Sequence, residues 1–204
     1  RSSPWTIQEA VRTSSMWKLG GSLAIMAFLL GAASVHRIPH WIELGFHPST
    51  VSLAVSLDAV GATIMALTAG FVVERLDARI VGTASCISFC FAVALMVVGQ
   101  AWTPLLFGST LLSGIGVGLF WVFGGVIWAQ YYGWQFVGTI HGTILPFTFL
   151  AGGLGAPLIG AMRDASGNYQ SSWLLISALC VAATILIVSA RSPNTNLDNQ
   201  RENS

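Results

Sequence analysis

Ionisable side chains are sparse in this sequence, so each one that falls in an apolar run calls for a chemical reason. Asp58 is the sole charged residue between Glu43 and Glu74. A carboxyl group in apolar surroundings is costly to ionise, which suits a group that takes up and releases a proton or holds a polar solute. The plainer reading is a buried acid satisfied by Ser52, Ser56 or a backbone group. His141 stands in a second long apolar run, where a near-neutral imidazole can relay protons or simply pack against a neighbouring helix. Asp58 sits about eight residues into its run, roughly 12 Å deep at the helical rise. His141 enters its own run from the opposite face, about 10–15 Å away across a ~30 Å apolar core. A direct Asp58–His141 pair is therefore not expected.

The other charges gather at turns. Glu74, Arg75, Asp77 and Arg79 occupy one short stretch, and Arg163 and Asp164 form a couplet at the end of another run. Both sets suit helix-end anchoring in a solvated turn. His36, His40 and His47 raise the question of a metal. However, Pro39 is expected to interrupt a helix there, and no Cys or paired acids complete a ligand set, so an interfacial turn is expected. Cys86, Cys90 and Cys180 all fall in apolar runs and read as small packing residues rather than a disulfide framework. No GxxxxGK[ST], Gly-x-Ser-x-Gly or His-Glu-x-x-His occurs, so no catalytic residue, metal site or cofactor is assigned and an enzyme is not expected. Net charge is +1 with the basic residues scattered, which argues against nucleic acid as a partner.

These residues need elements to hold them, and composition says what kind. Hydrophobic residues make up 54% and charged residues 8%, and mean hydropathy is +0.71. A soluble domain carries roughly a quarter charged residues, so the solvent for most of this chain is lipid. No Asp, Glu, Lys or Arg occurs in the 83 residues from Ile80 to Met162, too long for one crossing of about 20 residues. Breakers at Gln100–Pro104 and Gln130–Gln135 divide it. Six spans are predicted, near 16–36, 50–73, 80–99, 105–129, 138–162 and 172–190. Residues 1–14 form a lead-in at the membrane face, 15–190 the transmembrane bundle and 191–204 a tail. Seven basic residues (Arg1, Arg12, Lys18, Arg75, Arg79, Arg191 and Arg201) fall on one side of this threading, and only Arg37 and Arg163 fall on the other. The positive-inside rule places both termini in the cytoplasm.

Shifting the first three spans by 90 residues lays them on the last three, and Gly70-Phe-Val-Val-Glu-Arg75 then meets Gly160-Ala-Met-Arg-Asp164. Three crossings invert the second triplet, giving an all-α membrane fold of six helices in a 3+3 inverted repeat. The fourth span, with Gly114-Ile-Gly-Val-Gly and Gly124-Gly125, allows close helix approach, and Pro146 suits a bend in the fifth.

Several stretches together resemble a known family. Glu9–Trp17 is similar to the amphipathic approach to the seventh helix of a major facilitator superfamily transporter. His36–Phe46 resembles the outer turn after that helix, Gly70–Arg79 the following cytoplasmic turn, and Gly152–Pro157 through Gly160 and Asp164 to Tyr169 the end of helix eleven. The resemblance is to the C-terminal half, nearest the monocarboxylate-transporter-like branch, and covers nearly the whole chain. Glu74 stands where the family commonly has Asp, and Ala66 where many monocarboxylate relatives carry Arg, so carboxylate specificity is not carried over. The resemblance implies a secondary transporter of a small organic solute working by alternating access in the cell membrane, with an N-terminal six-helix half as its partner. Proton coupling through Asp58, uniport and exchange all fit. It also implies that Phe120, Trp121 and Trp128 wall or gate the central cavity, beside their plainer role in packing. Glu74, Arg75, Asp77 and Arg79, with Arg163 and Asp164 opposite, are implied as a conformational latch. The rival expectation is a self-contained six-span channel or scaffolding homo-oligomer.

Overall fold

The computed structural model describes residues 6–98, 102–135 and 137–192. Among them the chain forms a short helix, α1 (Ile7–Val11), and six long ones: α2 (Ser14–Glu43), α3 (Pro48–Arg75), α4 (Ala78–Val97), α5 (Thr103–Tyr132), α6 (Val137–Ser166) and α7 (Gln170–Ser189). All six are long and apolar enough to cross a membrane. Local chemistry sets their ends. Thr6 and Glu9 close a reciprocal capping box on α1, Asp77 caps α4 by accepting from the Arg79 amide at 2.8 Å, and Pro48 opens α3. Gly45, Gly133 and Gly167 take positive φ in the turns that follow α2, α5 and α6, a backbone shape that glycine adopts without a Cβ penalty.

The inverted repeat is visible in the helices themselves. Their lengths run 30, 28 and 20 residues in the first triplet and 30, 30 and 20 in the second. Paired helices begin 89, 89 and 92 positions apart: Ser14 with Thr103, Pro48 with Val137, Ala78 with Gln170. Packing follows the same exchange. The close crossing of α2 with α6 matches that of α5 with α3, α2·α7 matches α5·α4, and α4 meets α7 across the pseudo-axis.

The crossings depend on missing side chains. A Cβ on Gly114 of α5 would run into the backbone carbonyl of Asp58 on α3. On the equivalent pair, Cβ atoms on Gly31 and Gly155 would strike the carbonyls of Gly152 and Phe28. Small residues at such points let backbones touch, which is where van der Waals packing holds a bundle in lipid. Around the crossings Trp41, Trp128 and Trp173 are fully buried. The three cysteines are free, and the Cys180 thiol donates to the Cys86 carbonyl at 3.4 Å, joining α7 to α4.

Two expectations need correction, both at the end of α2. α2 does not end at residue 36: it runs through Pro39 to Glu43. Its last turn is held by tertiary packing, with His40 edge-on to Trp41, Tyr169 and Trp173 at ring distances of 5.3–5.7 Å, and this outweighs the hydrogen bond that proline removes. The stretch 36–43 is therefore helix rather than turn. α6 continues through both Pro146 and Pro157. The tail beyond 192 and residues 1–5 of the lead-in lie outside the described residues.

Gly114→Ala is expected to cost about 1–3 kcal/mol by forcing α3 and α5 apart. Gly125→Ala, whose Cβ meets nothing within 4 Å, should be neutral or gain up to ~1 kcal/mol of helix propensity. Unfolding temperatures of the two variants in detergent check this, and equal behaviour would remove the crossing as the cause.

Candidate functional site

Asp58 lies ten residues past Pro48 in α3, half-buried, and its partner is none of the expected serines. The Arg37 guanidinium of α2 donates from Nη1 to Asp58 Oδ1 at 2.9 Å and to the Ser113 hydroxyl of α5 at 2.8 Å. Ser56 instead donates to the Leu53 carbonyl of its own helix. Arg37 was expected in an outer loop; it is buried inside α2, with its side chain 7% exposed against 24% for Asp58. Extension of α2 past Pro39 carries it there, and an arginine within a span needs a counter-ion. The cluster therefore ties three helices through one cation. Ser113 reaches it because it neighbours Gly114, where α3 and α5 touch.

A separate cavity of about 390 Å³ opens between α2, α5 and α6. Leu23, Leu30, Phe120, Trp121 and Phe149 form much of its wall, with His141 and Thr148 as its polar side chains. Phe120 is buried and Trp121 is 68% exposed; their rings meet at 5.4 Å and 66°. His141 faces Trp128 with ring centroids 6.4 Å apart. The structure thus brings Phe120, Trp121 and His141 to one cavity and leaves Asp58 outside it, beside Arg37. Trp128 is fully buried, a packing residue stacked on Tyr132.

The sequence profile of the Major Facilitator Superfamily matches residues 19–203. The chain belongs to the major facilitator superfamily. No curated protein matches it in sequence. It is therefore a multi-pass membrane protein of a transporter family, and the remaining charges can be placed in a major facilitator bundle.

At one end of the bundle, Asp77 and Arg79 lie 3.8 Å apart within one turn, and the Arg75 guanidinium sits 4.2 Å over the Phe71 ring. Among the described residues Glu74 forms no ion pair. Arg79 instead reaches α7, donating to the Ala190 carbonyl at 3.2 Å, which the Tyr131 hydroxyl also meets at 2.8 Å. At the opposite end Arg163 pairs with Glu43 at 2.6 Å and with Asp164 at 3.4 Å, so α6 is joined to the tip of α2. Sequence reasoning missed Glu43, and it placed His36 and His40 in an interfacial turn where the structure has them within α2. His36 donates from Nε2 to the Ala156 carbonyl at 2.8 Å and accepts at Nδ1 from the Tyr169 hydroxyl at 3.2 Å. Burial first, then the Glu43 carboxylate, pushes the Tyr169 phenol above its ordinary range, which keeps that hydroxyl a donor. Among the described residues no three His, Cys, Asp or Glu side chains gather as a metal site.

Arg37→Ala should strand the Asp58 carboxylate and cost about 3 kcal/mol, the lower end for a buried pair because Asp58 keeps some exposure. The Arg37→Ala/Asp58→Ala double variant should recover most of that loss. A double-mutant cycle on unfolding measures the coupling, and additive losses would show that the pair contributes none.

Proposed function

We propose that this chain is the C-terminal six-helix half of a transporter that moves a small organic solute by alternating access. The solute binds against the cavity between α2, α5 and α6, and the N-terminal half closes it from the other side. One observation carries this reading. α3 and α6 are each buried over only 17% of their apolar spans, against 44% in α2 and 50% in α5, and α6 forms one side of the cavity. The two least-packed helices are equivalent in the repeat, and they leave a matched pair of faces for a second bundle.

The Arg37–Asp58 pair is the proposed coupling element. Protonation of Asp58 removes its charge, frees the Arg37 guanidinium and loosens the tie of α2 to α3. A proton or a competing anion thereby gains a handle on helix packing. Phe120, Trp121 and His141 are the proposed solute contacts. Glu74, Arg75, Asp77 and Arg79 at one end, and Arg163 with Asp164 at the other, are the proposed latch residues, with Glu43 added opposite Arg163. The basic residues favour cytoplasmic termini in the cell membrane. The turn sequences support the monocarboxylate-transporter-like branch, although Ala66 leaves the carboxylate site of that branch without its arginine.

In vesicles carrying the native protein, Asp58→Asn is expected to lower proton-driven uptake by tenfold or more while solute counterflow persists, a loss of about 1.4 kcal/mol or more of coupling. Unchanged pH dependence of uptake would remove Asp58 from coupling. An antibody against Asn194–Ser204 should detect a polypeptide about twice the 21.6 kDa of this chain. A band near the chain's own mass would require a homodimer or a separate partner to complete the cavity.

A further inference from the structure

We infer that the transported solute is a planar, largely apolar organic molecule without a fixed charge, seated in space that Gly125 and Gly153 leave open; the inference rests on the transporter reading above. Among the described residues the cavity is lined by no Asp, Glu, Lys or Arg. Against this half's wall a carboxylate, phosphate or ammonium group would meet no counter-ion, and Arg37, farther along α2, is already committed to Asp58 and Ser113. Hydrogen bonding is equally sparse. Thr148 spends its hydroxyl proton on the Ile144 carbonyl at 3.2 Å, which leaves that oxygen as an acceptor, with His141 and the indole N–H of Trp121 as the other polar groups. A sugar or other polyol would lose hydration at several hydroxyls and regain few partners. A flat hydrophobic molecule with one polar edge loses little.

Two kinds of glycine separate packing from space. Gly31, Gly114 and Gly155 are needed because another helix backbone lies against them. Gly125 on α5 and Gly153 on α6 both line the cavity, yet a Cβ at either position would meet nothing within 4 Å. Helix packing does not require them, and glycine lowers helix propensity by about 1 kcal/mol relative to Ala. What they supply is volume in the cavity that the Trp121 and Phe120 rings also line. Aromatic faces and edges of that kind favour offset or edge-on contact with another ring system. A volume of about 390 Å³ falls low in the ~300–1,000 Å³ range of small-molecule sites, which suits two or three fused or linked rings.

The test uses the native full-length protein in lipid nanodiscs and a matched pair of fluorophores. N-phenyl-1-naphthylamine joins two flat ring systems and is uncharged; its 8-sulfonate, 8-anilinonaphthalene-1-sulfonate, adds one fixed negative charge. The uncharged probe is expected to bind saturably, above its partition into protein-free discs, and roughly tenfold or more tighter than the sulfonate. Gly125→Leu and Gly153→Leu should each weaken it by about tenfold or more with the unfolding temperature unchanged. Trp121→Ala, which adds no bulk, should weaken it as well and decides the matter if either leucine variant fails to fold. Equal or tighter binding of the sulfonate, saturable binding unaffected by all three substitutions, or no signal beyond the protein-free discs would each overturn the inference. Binding to a nanodisc needs no second compartment, so this answers for the cavity alone. The carrier reading stands or falls separately, on flux into vesicles.

Discussion

The contact at which Gly114 of α5 lies against the Asp58 carbonyl of α3 organises much else in this bundle. Because the two backbones meet there, the adjacent Ser113 hydroxyl and the Asp58 carboxylate stand close enough for one guanidinium Nη1 to reach both. Arg37 can then remain inside α2. An uncompensated arginine in a span costs several kcal/mol, enough to pull its side chain to the helix end or to bend α2 out of its contact with α6. A helix contact of van der Waals kind thus fixes an electrostatic one, and the electrostatic one holds the third helix in register.

The repeat shows how one packing scheme carries two different surfaces. Under the 90-residue shift Gly31 corresponds to Trp121, and Asp58 to Thr148. Gly31 is used for backbone contact between α2 and α6. At the matching place on α5 a large indole is turned outward instead, and Trp121 borders both the cavity between α2, α5 and α6 and the more open recess between α3 and α5. Likewise the carboxylate of one repeat becomes a threonine that bonds back to its own helix. The scaffold keeps its helix lengths and crossings while the chemistry is divided, with charge on one triplet and an apolar hollow against the other.

The spans and their pairing were legible because lipid leaves the sequence few options: a run near 20 apolar residues has to be a helix, and repeat register follows from counting. Hydropathy could not show where a span passes its apolar stretch and continues on tertiary support. Pro39 and three nearby ionisable residues read as a turn, yet His40 packs among three aromatic rings from two parts of the chain and the helix persists. Arg37 was misplaced for the same reason. The repeat offered a clue, since the helix paired with α2 has a long uncharged run with no proline near its end. The cavity was only half legible. Phe120, Trp121 and His141 stood out by type, but that Gly125 and Gly153 face open space depends on the distance between α5 and α6, which no spacing within one helix encodes.

The two ends of the bundle are held by bonds of different strength, which bears on which end yields first. Where α7 finishes, its last carbonyls receive Ser15 and Lys18 from α2, Arg79 from α4 and Tyr131 from α5. These donors include two cations at a helix C-terminus, where the macrodipole favours them, and they join helices of both repeats. At the opposite end α6 meets α2 through Arg163 and Glu43, whose side chains are 38% and 42% exposed. A pair so open to solvent contributes about 0–1 kcal/mol, with His36 and Tyr169 adding two neutral hydrogen bonds beneath it. The end that gathers α7 is therefore the firmer anchor. At the α2–α6 tip the polar links are the weaker set, and the packing of His40 among Trp41, Tyr169 and Trp173 is what holds that end together.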